Sequence, residues 1–136
     1  MTVGGTGIDF ITIARVSDVL ARHGERFLRR VYTPREVDYC GGRVPELAAR
    51  FAGKEAVMKA LGTGARGVGW REIEILANGR GKPLVLLHGR ALARANQLRL
   101  SGVEISLTHE GGTAAALAIA NAEAPSQPLP SEERPA

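Results

Sequence analysis

RFAGKEAVMKALGTG, residues 50–64, decides how this chain is read. Its first twelve residues have helical spacing, and Gly62 stops them. A helix turns about 100° per residue. With Phe51 as origin, Leu47, Met58 and Leu61 fall within about 80° on one side and form a core stripe. Glu55 falls about 40° on the other side, and Lys59 about 80°. Ala48 and Ala52 are their near neighbours, so both charges are expected along a shallow, small-residue edge of the buried stripe. Their i, i+4 spacing suits an ordinary surface ion pair contributing a few tenths of a kcal/mol. Arg50 and Lys54 flank the same stripe. Three basic residues around one carboxylate, followed by Gly-Thr-Gly, equally suit an anion site, with a metal on the carboxylate and a phosphate on the lysines.

The helix is expected over Pro45–Leu61. Upstream, TVGGTGIDF reads as a Gly-rich strand that presents Asp9 at its end. A second carboxylate there would complete the one or two that Mg²⁺ usually takes from protein. Ser17 is the expected N-cap of a helix broken at Gly24. Thr33, Pro34 and Glu36 spell a capping box with proline at the first helical position. Gly41-Gly42 ends that short helix.

Downstream the period changes. Glu72–Ile75 alternates as a half-buried strand does. Asn78-Gly79-Arg80-Gly81 turns the chain into Leu84–Leu87, a hairpin. A helix is expected over Arg90–Leu100, then strands Val103–Thr108 and Thr113–Ala120 around a Gly-Gly turn. Strand, helices, hairpin, helix, hairpin implies an α+β fold with a mostly antiparallel sheet packed with helices. SLTHE, residues 106–110, places His109 after a strand. It reads either as a surface-turn histidine or as part of a hydroxyl-plus-imidazole cluster, with Ser106 and Thr108, for a phosphate.

At 136 residues and 44% hydrophobic, the chain can build one compact domain with a modest core, expected over residues 1–120. Residues 121–136 hold four of the seven prolines and almost no large apolar residues, and are expected to be disordered. No secretory signal and no spanning segment is expected. The single cysteine, Cys40, is read as a half-buried structural thiol in a reducing cytoplasm. The net charge of +4 attracts phosphates, nucleic acids, anionic membranes or an acidic protein, and composition does not choose among them. Scarce aromatics, and no helix-turn-helix, KH or RNP-type pattern, argue against a nucleic-acid module.

Four stretches in order carry a family likeness. GIDFITIAR resembles the GxDxxxxxR opening of the holo-[acyl-carrier-protein] synthases. RFAGKEAVMKALGTG is similar to their central motif, and GKP at 81–83 and SLTHE resemble further elements. Gly53 stands where alanine is usual, and Glu110 where a small hydroxyl residue is common. The resemblance implies a Mg²⁺-dependent 4′-phosphopantetheinyl transferase fold and activity. Phosphopantetheine would move from coenzyme A to a serine of apo-acyl carrier protein, releasing adenosine 3′,5′-bisphosphate. It implies Asp9 and Glu55 as metal ligands, with Lys59 on a phosphate as the third catalytic residue. Arg50 and His109 would meet the 3′-phosphate, with Lys54, Ser106 and Thr108 in the same anionic site. Gly62 and Gly64 would admit the nucleotide closely, and Pro83 would pack near the adenine. Arg15, Arg22, Arg26, Phe27 and Arg30 would dock the acidic carrier. A homotrimer with active sites at subunit interfaces, outside any membrane, is also implied.

Overall fold

The computed structural model describes residues 2–123. The elements are β1 (Thr2–Thr12), α1 (Ile13–His23), α2 (Glu25–Val31), α3 (Pro34–Cys40) and α4 (Val44–Leu61). A short α5 (Gly64–Gly67) and a 3₁₀ turn (Trp70–Glu72) lead to β2 (Ile73–Ala77) and β3 (Pro83–Leu87). Then come α6 (Gly89–Gln97), β4 (Leu100–Glu110) and β5 (Thr113–Ala122). One sheet has the order β1-β5-β4; β2 and β3 form a separate hairpin. Every pairing among the described residues is antiparallel. The expected α+β class therefore holds.

The helix α4 lies across the larger sheet, and glycine makes that possible. Alternation turns Gly5, Gly7, Asp9 and Ile11 of β1 toward α4 and leaves Ile8 and Phe10 outward. A Cβ on Gly7 would stand 1.8 Å from the Ala56 carbonyl oxygen, and one on Gly5 would stand 2.2 Å from that of Ala60. Backbone therefore meets backbone at van der Waals distance. Ala114, Ala116, Ala118 and Ala120 of β5 continue the same small-residue floor, all buried. The small-residue edge of α4 is thus its tightest interface rather than a shallow margin.

Several boundaries differ from expectation for local reasons. Helix α1 begins at Ile13, not Ser17, because the Ile13 amide donates to the Gly112 carbonyl at 2.8 Å. A tertiary carbonyl does the work of a side-chain cap. The capping box at Thr33 forms as read, with Glu36 N donating to Thr33 Oγ1 and Thr33 N to Glu36 Oε1. Helix α6 stops at Gln97 because Arg99 adopts φ +58°, a left-handed turn with no glycine to announce it. Strand β5 runs past Ala120: Asn121 pairs with Val3 and Gly102, and Ala122 with Thr2 and Leu100. The expected tail from 121 thus loses its first two residues to the sheet, and residues 124–136 lie outside the described residues. Cys40 is fully buried rather than half-buried, and burial lifts its thiol pKa to about 11.

Candidate functional site

The close approach of β1 to α4 sets Asp9 beside Glu55 and Lys59. Lys59 Nζ donates to the Ile8 carbonyl at 2.8 Å and to Asp9 Oδ1 at 3.1 Å. Glu55 is half-buried, and its pKa is raised, first by burial and next by the Asp9 charge; Lys59 and Arg15 oppose the shift. Asp9, Arg15, Phe27, Phe51 and Glu55 line a cleft of about 400 Å³. No group of three potential ligands (His, Cys, Asp or Glu) gathers among the described residues. Any cation here would take two carboxylates and complete its shell from a ligand and water, the pattern Mg²⁺ favours.

The aromatic floor of this cleft corrects the wheel. Phe51, taken as the centre of the core stripe, is only half-buried and shares an outward line with Glu55 and exposed Lys59. Its ring stacks on Trp70 at 4.7 Å and lies 6.4 Å from Phe27. Nearly every other position from Leu47 to Leu61 is buried, because sheet, hairpin and α3 surround the helix.

A second cavity, of about 350 Å³, gathers Arg50, Pro83, Thr108 and His109. Arg50 is 2% exposed. Its Nε donates to the Ile75 carbonyl at 3.0 Å and its Nη1 to Glu46 Oε2 at 3.0 Å, while the Tyr39 ring lies 4.4 Å from its guanidinium. Glu46 Oε1 is 3.8 Å from His109 Nε2. Four residues expected around a 3′-phosphate and adenine therefore line one cavity. Tyr39 and Glu46 join them unannounced; the only sequence signal for Glu46 was its i, i+4 spacing from Arg50.

Lys54 does not belong to either cavity. It is 0% exposed, and its Nζ donates to Glu36 Oε1 at 2.7 Å and to the Trp70 and Ile73 carbonyls at 3.0 and 2.5 Å. With all three protons placed, it has none for a ligand. Ser106 also stands apart, exposed on the outer sheet face in register with Leu117 and Ile8. Gly62 and Gly64 adopt φ +72° and +62° and line neither cavity. Glu110 is exposed and absent from the cavity lining; the carboxylate beside Arg50 and His109 is that of Glu46 instead. The Gly53 departure is explained by packing: a Cβ there would press on Ile75 Cδ1 at 2.6 Å.

The basic patch adjoins the first cleft. Val19, Arg26, Phe27 and Arg30 line a hollow of about 570 Å³ together with His23 and Arg29. Val19 and Phe27 line both the hollow and the carboxylate cleft, so the two are continuous. Arg15 faces the carboxylates rather than the hollow, and Arg22 is exposed without lining either.

Residues 5–120 match the family described as the 4′-phosphopantetheinyl transferase superfamily. The chain is 45% identical to a holo-[acyl-carrier-protein] synthase of Herpetosiphon aurantiacus, covering 84% of this chain and 95% of the relative. It is 47% identical to that of Moorella thermoacetica, over 83% and 90%. Among solved structures, the Neisseria meningitidis holo-[acyl-carrier-protein] synthase aligns at TM-score 0.79 and 35% identity, over 88% of this chain and 99% of that one. The Helicobacter pylori enzyme in complex with coenzyme A aligns at TM-score 0.79 and 28% identity, over 85% and 99%.

Proposed function

This chain belongs to the 4′-phosphopantetheinyl transferase superfamily, and on that premise we propose how its residues carry phosphopantetheine from coenzyme A to apo-acyl carrier protein. The observation that carries the reading is the Asp9–Glu55–Lys59 cluster, open to a cleft that runs into a basic hollow.

Asp9 and Glu55 would hold Mg²⁺. The fit rests on Glu55, whose ionised form is disfavoured by burial and by Asp9; a cation between the carboxylates relieves both. The ion would supply Lewis-acid charge neutralisation for the coenzyme A pyrophosphate as the phosphoanhydride breaks. Lys59, half-exposed at 53%, exchanges its Asp9 contact for a phosphate oxygen and stabilises the departing adenosine 3′,5′-bisphosphate. Arg50 and His109 hold the 3′-phosphate, Thr108 adds a hydroxyl, and Pro83 packs against the adenine. The carrier serine forms the new P–O bond. Glu55 lines the same cleft and would accept the serine proton through a water. The rest is positioning and charge neutralisation. That accounts for the chemistry without a nucleophilic triad.

The arginine hollow suits the acidic surface of a carrier protein; Val19 and Phe27 join it to the metal cleft, which Arg15 lines. Such contacts chiefly raise the association rate and weaken with salt.

A homotrimer is supported by two features. Ile8, Phe10 and Leu117 are 54%, 66% and 42% exposed on the outer face of the sheet, an apolar surface that further copies would cover. The phosphate cradle and the carboxylate pair also project from α4 about 140° apart, since Arg50 and Glu55 are five residues apart. A site completed between subunits joins the two halves. Leu117→Glu is then expected to give monomers by light scattering; a variant that stays oligomeric contradicts this interface. A reducing cytoplasm suits the single buried thiol.

An intact-mass assay tests the reaction, with purified protein, coenzyme A, Mg²⁺, an apo-carrier and an EDTA control. A carrier mass gain of one phosphopantetheine, lost in EDTA, is expected. A gain that survives EDTA removes the metal from the proposal, and no gain with any of several carriers removes the transfer.

A further inference from the structure

Glu46 stands where a phosphate is expected. One carboxylate oxygen accepts from Arg50 Nη1 at 3.0 Å, and the other lies 3.8 Å from His109 Nε2. These are the two side chains assigned above to the 3′-phosphate. Arg50 is almost fully buried, and a buried guanidinium without a counter-ion is costly. Glu46 supplies that counter-ion in the free protein. A phosphate monoester brings about −1.5 to −2 charges to the same place, and repels a carboxylate that remains there.

Glu46 also has somewhere to go. Its side chain is 26% exposed, and it sits in the first turn of α4, where the helix dipole favours an anion. Arg50 keeps its position without it, through the Ile75 carbonyl and the Tyr39 ring.

We propose that Glu46 is an internal competitor for the 3′-phosphate of coenzyme A, an affinity- and release-determining residue of the cradle. The inference rests on the reading of Arg50 and His109 as that cradle. In the free protein the carboxylate fills the anion site; on binding, the phosphate displaces it; after transfer, its return helps expel adenosine 3′,5′-bisphosphate. A residue that merely positioned Arg50 would weaken binding when removed. A competitor strengthens binding when removed, and only for ligands that carry the 3′-phosphate.

The test measures binding of coenzyme A and of dephospho-coenzyme A, which lacks the 3′-phosphate, to wild type and Glu46→Gln by calorimetry. Glutamine keeps an oxygen for Arg50 Nη1 and loses the charge. Wild type is expected to prefer coenzyme A. In Glu46→Gln, coenzyme A should bind about three- to tenfold tighter, the scale of one partly exposed charge pair, with dephospho-coenzyme A unchanged. Inhibition by adenosine 3′,5′-bisphosphate should tighten by the same factor. Weaker or unchanged coenzyme A binding by folded Glu46→Gln, or equal tightening of both ligands, overturns the proposal while leaving the cradle intact. A wild type without preference overturns the cradle reading and the proposal together. If Glu46→Gln does not fold, Glu46→Asp withdraws the carboxylate by one methylene and should shift the same ratio in the same direction by less; no shift there overturns it.

Discussion

Two ionic clusters meet on α4, built from the same residue types and left in opposite electrostatic states. On the buried side, Lys54 is paired with Glu36, which also accepts from the amides of Thr33 and Ile75. Next to it, Glu74 accepts from Arg35, Thr33 and His88, counted as the donor. Burial alone would raise the Glu74 pKa, yet these donors hold it down at about 2. On the cleft side, Glu55 lies beside Asp9 and its pKa is raised. Lys54 and Glu55 are sequence neighbours, but the first is saturated by protein and the second is not. A carboxylate whose charge is already satisfied has little to offer a cation. One whose charge is strained has much to gain from it. The contrast separates framework from chemistry on a single helix.

The strongest challenge to this contrast is Glu55→Gln. Transfer should fall by about a thousandfold or more, roughly 4 kcal/mol of transition-state stabilisation, with the fold retained. Turnover at the wild-type rate under limiting Mg²⁺ would remove Glu55 from its role. Lys54→Met should act in the reverse sense. It strands the buried Glu36 carboxylate and should cost about 3–5 kcal/mol of stability by urea denaturation. Lys59→Met, at an exposed position, should cost under about 1 kcal/mol while impairing transfer. Equal stability losses in the two lysine variants would erase the distinction.

The clusters should also answer pH in opposite directions. Glu74, with a folded pKa lowered from 4.5 to about 2, adds stability that is complete above pH 4.5 and is lost as pH falls toward 2. Glu55, with a folded pKa raised above 4.5, favours the fold below pH 4.5 and gives up that stability as pH rises past its folded value. Glu74→Gln should therefore cost about 2 kcal/mol at neutral pH and flatten the acid limb of the melting profile. Glu55→Gln should raise the metal-free melting temperature slightly at pH 7. Identical pH profiles for the two variants would contradict the assignment.

Smaller effects sharpen the edges of the comparison. Arg15→Glu should raise the KM for carrier about tenfold, less in high salt, with little change for coenzyme A; the reverse pattern places Arg15 at the nucleotide instead. Gly53→Ala should change stability by less than about 1 kcal/mol, because the gain in helix propensity opposes the displacement of Ile75 Cδ1.

What the sequence showed depended on how far each cause reached along the chain. The Thr33 capping box and the Gly62 stop are set by residues within one turn, and both formed as read. The Asp9 and Glu55 pairing was suggested by motif, but the contact that makes it, Gly7 against Ala56, joins residues far apart in sequence. The wheel misplaced Phe51, and the family likeness set Lys54 among anion-binding residues, because neither accounts for the neighbours packed on α4. Lys54 is taken up by Glu36 on α3, and Phe51 by Trp70 beyond α5; neither partner has a spacing relation to α4. The end of α6 escaped because an arginine took the left-handed turn usually left to glycine.

The order of the strands has a consequence for the living chain. Among the described residues β1 hydrogen-bonds in the sheet only to β5, the last of the described strands. While the chain is still being synthesised, Asp9 has emerged long before the strand that will hold its backbone in place. A nascent or prematurely terminated chain ending before residue 113 can fold α4 and still lack a fixed partner for Glu55. The pairing of Asp9 with Glu55 thus depends on β5, and a chain cut short of that strand carries both carboxylates without the partner that fixes the backbone of β1.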